Sequence, residues 1–67
     1  MPRDWWRGEV LKKARTRRKL TQEQLADRVG VHKITISRLE RGDRQPSMAL
    51  LQKLARELKV KVQDLLK

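Results

Sequence analysis

The stretch "LTQEQLADRVGVHKITISRLERG", residues 20–42, decides the fold. Thr21 followed three residues later by Gln24 is a helix-opening pair: the hydroxyl serves one orphan backbone N–H and the amide returns to another. Leu25, Ala26 and Val29 then fall on one helical stripe, and Gly30 can take the left-handed conformation that closes a helix. A second helix starts after His32 and stops at Gly42 for the same reason.

The apolar residues of this second helix do not share one face. At about 100° per residue, with Ile36 at zero, Leu39 falls at roughly 300° and Glu40 at roughly 40°, which defines the inward side. Ser37 at roughly 100°, Arg41 at about 140°, Ile34 at about 160° and Arg38 at about 200° lie on the other side. Ile34 is therefore the residue out of place, an aliphatic group among two guanidinium forks and a hydroxyl. Such a mixed face suits the major groove of DNA: Arg can bond both acceptors of guanine, Ser can bond several bases, and an aliphatic group can rest on a thymine methyl. Single exposed apolar residues are also common on any protein surface, so the face takes its meaning from its setting. That setting is a helix, a glycine-closed turn and a second helix within residues 22–41, the helix-turn-helix arrangement in which the second helix enters the groove. Ala26, small enough for the two axes to approach, fits the same scheme.

The flanking sequence reads as three more helices. Strand signals are missing, with no sustained alternation and no Asn-Gly turn. A first helix is expected from Trp5 or Trp6 to Lys19, with Asp4 as its cap and Val10, Leu11 and Ala14 inward; Gly8 is an awkward residue for its first turn. Pro46 followed by Ser47 marks a stop and a new cap, after which Leu50, Leu51, Leu54, Ala55 and Leu58 repeat with helical period. A last short helix carries Val62, Leu65 and Leu66, which either finish the core or form a subunit contact. The connections are short and there is no linker, so residues 1–67 form a single all-α domain of five helices.

Composition narrows the function. A chain of 67 residues buries only ~60% of its unfolded surface, leaving little room for a catalytic pocket. There is no cysteine and a single histidine, so neither a disulfide framework nor a metal site is expected. No nucleophile and base pair is visible, the carboxylates are scattered among cations, and no enzyme activity, cofactor or small-molecule ligand is expected. Eighteen Lys and Arg against eight Asp and Glu give a formal charge of +10, which points to a polyanionic partner, nucleic acid first. No apolar run of about 20 residues could span a bilayer and no signal peptide precedes the domain, so a cytoplasmic protein is expected.

The segment "LTQEQLADRVGVHKITISRLERGDRQPSMALLQKLARELKVKVQDLL" resembles the phage repressor and Cro family of helix-turn-helix domains. The family pattern runs Leu-Ser/Thr-Gln-x-x-Leu-Ala, Gly-Val-Ser, Thr-Ile-Ser-Arg, Glu-x-Gly and Pro-Ser, and the likeness extends over about residues 8 to 66. It implies the lambda-repressor-like fold, double-stranded DNA as partner, a homodimer on a palindromic site, and transcriptional repression more than activation. It also implies residue roles: base reading by His32, Lys33, Ile34, Ser37 and Arg38; phosphate contacts by Gln22, Arg41 and Arg44; and a structural ion pair between Arg15 and Glu40. The chain departs from the pattern at His32, where a capping serine is usual, and at Ile34, where a small polar residue is common. Lys59 stands in place of a glycine and Lys61 in place of a capping serine. Two other functions stay open at this stage. One is an antitoxin or adaptor-type protein-interaction module with Trp5 and Trp6 as anchors. The other is a basic protein held at a membrane surface.

Overall fold

A computed structural model describes residues 5–66, which form five helices: α1 (Gly8–Arg17), α2 (Gln22–Val29), α3 (Lys33–Arg41), α4 (Met48–Leu58) and α5 (Val62–Leu65). The helix-opening pair at Thr21 forms in full. Thr21 Oγ1 accepts from the Gln24 N–H at 3.0 Å and Gln24 Oε1 accepts from the Thr21 N–H at 2.9 Å. Ser47 Oγ likewise accepts from the Leu50 N–H at 3.1 Å and starts α4. At α5, lysine has no acceptor to offer as a cap. There Asp64 Oδ2 accepts from the Lys61 N–H at 3.2 Å.

The start of α1 differs from the sequence reading. The helix begins at Gly8 rather than at Trp5 or Trp6, its N-cap is Arg7, and the cap proposed at Asp4 lies outside the described residues. The cause is tertiary. Arg7 is extended (φ −120°, ψ 107°), so the chain runs in without winding and Trp6 drops its ring into the core. The Trp6 indole donates Nε1–H to the Leu39 carbonyl at 2.9 Å. Gly8 then lies flush against α3: a Cβ built on it would overlap the carbonyl oxygens of Leu39 and Glu40. The glycine that looked awkward for a helix is what lets α1 approach the end of α3. Trp5 stays 43% exposed with its ring centroid 6.2 Å from that of Trp6, so only one of the pair is available to an interaction surface.

The first four helices end in the same way. Gly30 (φ 76°) and Gly42 (φ 79°) are left-handed as expected. The corresponding positions after α1 and α4 are left-handed lysines, Lys19 (φ 59°) and Lys59 (φ 58°). At α1 the paired closing bonds, Leu20 N–H to Arg15 carbonyl (3.2 Å) and Lys19 N–H to Thr16 carbonyl (2.9 Å), satisfy the last turn. This winding ends α1 at Arg17, two residues short of the expected Lys19.

Among the described residues, twelve buried apolar side chains form one core, drawn from every helix and from Trp6. Leu11 of α1, Leu25 of α2, Ile36 and Leu39 of α3, Leu54 of α4 and Leu65 of α5 are all fully enclosed. Leu65 thus finishes the core, while Val62 and Leu66 remain half-buried beside it.

Two substitutions test these contacts by urea unfolding. Gly8→Ala is expected to cost about 1–3 kcal/mol, because the obstruction is backbone rather than a movable side chain. Lys59→Gly is expected to gain about 0.5–1 kcal/mol, since relief of the left-handed conformation outweighs the extra freedom glycine gives the unfolded chain.

Candidate nucleic-acid interface

The orientation of α3 follows from which of its residues are enclosed. Ile36 and Leu39 are fully buried and Glu40 is buried beside them, whereas Ile34 is 51% exposed. The misfit isoleucine therefore faces outward, as its wheel position requires. His32, Lys33 and Arg38 are exposed with it and Ser37 is half-buried, so the core encloses none of the residues read as base contacts. Arg41, the last residue of α3, and Arg44 in the loop that follows are exposed as well. Arg41 Nε lies 3.1 Å from Asp43 Oδ2, a pair so exposed that opening it costs little.

Behind the face lies a polar network. Arg15 of α1 grips Glu40 with both edges of its fork, Nε to Oε2 at 2.5 Å and Nη2 to Oε1 at 3.1 Å. Its third nitrogen, Nη1, donates to the Leu20 carbonyl at 2.7 Å. Gln22, the first residue of α2, donates Nε2–H to Glu40 Oε1 at 3.0 Å. One carboxylate thus joins α1, the α1–α2 turn, the start of α2 and the end of α3. Gln22 keeps a second Nε2 hydrogen for an outside acceptor. A shallow recess of about 340 Å³ lined by Arg15, Thr21, Gln22, Glu23 and Lys33 brings this amide together with the first residue of α3.

His32 also does more than the sequence indicated. Its Nδ1 accepts from the Ile34 N–H at 3.1 Å, so the imidazole takes over the capping role of the usual serine. Sequence reasoning missed three of these contacts: Trp6 on the Leu39 carbonyl, Gly8 against the same turn, and Gln22 on Glu40. The adjacent tryptophans showed only that both cannot face inward on one helix. Among the described residues no group of three or more His, Cys, Asp or Glu could hold a metal ion, and no helix is long and apolar enough to cross a membrane.

This geometry defines a helix-turn-helix unit with an exposed cationic recognition helix. A helix-turn-helix family model matches residues 11–65, and the chain belongs to that family, in its phage repressor and Cro-like branch. An HTH-type transcriptional regulator of Archaeoglobus fulgidus is 44% identical over 55 residues, covering 82% of this chain and 78% of that protein. The fold matches the P22 c2 repressor bound to a synthetic operator with a TM-score of 0.86 and 33% identity, over 90% of this chain and 91% of the repressor. It also matches SinR, a master regulator of biofilm formation from Bacillus subtilis, in complex with DNA. There the TM-score is 0.84 and the identity 33%, over 90% and 97% of the two chains.

The network makes a distinctive prediction. Arg15→Ala strands the Glu40 carboxylate in a site where only Gln22 remains to answer it, at a cost of about 3–5 kcal/mol. Replacing both partners with apolar residues of similar volume, Arg15→Met with Glu40→Leu, should cost markedly less. Urea unfolding of the two variants compares the terms directly.

Proposed function

We propose that this chain is a sequence-specific DNA-binding transcriptional regulator that acts as a repressor, seating α3 in the major groove, as a homodimer on a palindromic site in the cytoplasm. The observation that carries the reading is the split of α3 between anchor and probe. Ile36 and Leu39 hold the helix from beneath, and Ile34 and Arg38 are exposed on its outer side. Arg38 has the fork geometry for guanine, Ile34 offers an aliphatic surface for a thymine methyl, and Ser37, Lys33 and His32 fill the space between. Gln22, with Lys33 beside it in the same recess, serves a backbone phosphate at one end of the contact. Arg41 and Arg44 serve phosphates at the other.

The formal charge of +10 supplies the long-range attraction. Two copies related by a twofold axis would place their α3 helices about 34 Å apart, one turn of the duplex. Repression is the outcome supported by the likeness to the P22 c2 protein, itself a repressor.

Selection from random duplexes followed by titration tests the reading. A palindrome should be recovered, and raising salt from about 50 to 200 mM should weaken binding by on the order of 10³-fold if six or more phosphates are neutralised. Arg38→Ala should lose about 1–3 kcal/mol on the selected duplex and flatten discrimination at one base pair, while Arg44→Ala should weaken selected and random DNA alike. Equal losses on both duplexes for Arg38→Ala would remove it from base reading.

A further inference from the structure

We infer that His32 is a donor-only DNA contact whose tautomer is fixed by its own helix: Nδ1 is spent on capping α3, so Nε2 carries the ring proton and presents it to an acceptor on the DNA. The inference rests on the reading of the chain as a DNA-binding regulator and adds what His32 recognises there.

A neutral imidazole has one nitrogen that donates and one that accepts, and a hydrogen bond made by one nitrogen settles the role of the other. Nδ1 accepts from the Ile34 N–H at 3.1 Å, which places the hydrogen on Nε2. Nε2 sits across the ring from that bond, so the edge turned away from the helix carries a donor and no acceptor. His32 is exposed, and its neighbours Lys33 and Ile34 are exposed with it. Bases with an acceptor on the major-groove edge, chiefly purine N7, guanine O6 and thymine O4, satisfy this donor; the cytosine amino group does not. A phosphate oxygen offers the same chemistry from the backbone. A serine at this position would cap equally well but carries a freely rotating hydroxyl that both donates and accepts, so the imidazole adds a fixed polarity.

Two measurements on the full chain decide the matter. In ¹⁵N-labelled free protein at neutral pH, the imidazole nitrogens should show the proton on Nε2; a proton on Nδ1 overturns the inference whatever the DNA result. On the selected duplex, His32→Ser should leave the unfolding midpoint within a few degrees of the parent while weakening binding about 5- to 10-fold, the worth of one hydrogen bond. The contact is then located by double-mutant comparison. Exchanging base pairs or inserting 7-deazapurines one at a time, and replacing phosphates with methylphosphonates one at a time, should each be tried on both proteins. A single change that weakens the parent but not His32→Ser identifies the acceptor: a base edge in the first series, a phosphate in the second. Parent binding with no such coupled position, or with His32→Ser unimpaired, overturns the donor role alone. Failure of the parent to bind any selected duplex overturns it together with the DNA-binding reading.

Discussion

The last turn of α3 is where the domain is tied together. A nine-residue helix has too few hydrogen bonds to persist by itself in water, where isolated helices shorter than about 12–15 residues are marginal. Here the Leu39–Glu40 turn is gripped by three residues from the first quarter of the chain. The Trp6 indole bonds the Leu39 carbonyl, Gly8 lies against both carbonyls, and Arg15 forks onto the Glu40 carboxylate. Each acts differently: Trp6 adds a second donor to the Leu39 carbonyl, which already accepts from the Gly42 N–H at 3.2 Å, Gly8 permits close approach, and Arg15 neutralises a buried charge. Together they fix the roll of α3 about its axis, and that roll decides whether Ile34 and Arg38 or their neighbours face out.

The polar network extends this control to Gln22, proposed above as a phosphate contact. Gln22 reaches Glu40 from the start of α2, so the same carboxylate that orients the recognition helix also orients the amide assigned to a phosphate. A buried ion pair contributes little net stability once desolvation is counted. Its value here is geometric, because it sets the distance between α3 and the start of α2.

Much of this was legible in the sequence because the controlling signals are local. The Thr21–Gln24 pair, the closing glycines at Gly30 and Gly42, and the Pro46–Ser47 break each act within a few residues, and the structure realises all of them. The outward placement of Ile34 follows from helical period alone. The start of α1 was not legible, because Trp6 and Gly8 take their conformations from Leu39 and Glu40, more than thirty positions away. No periodicity encodes that approach, and propensity alone counted Gly8 as a fault. The Arg15–Glu40 pairing came only from family likeness, and the Gln22 bond that completes it came from neither source. His32 stands between the two cases. Its place before the helix was plain, but whether an imidazole caps depends on ring orientation, which the letter H does not carry.

The two tryptophans have an optical consequence. The chain has no tyrosine and no phenylalanine, so its near-ultraviolet absorption comes entirely from two indoles whose rings are 6.2 Å apart and inclined at 56°. One is sealed and hydrogen-bonded to the recognition helix, and the other is half open to solvent. Transition dipoles so close and so tilted couple, and the molecule therefore carries an intrinsic chiroptical probe seated on the element that meets its target, with no label required.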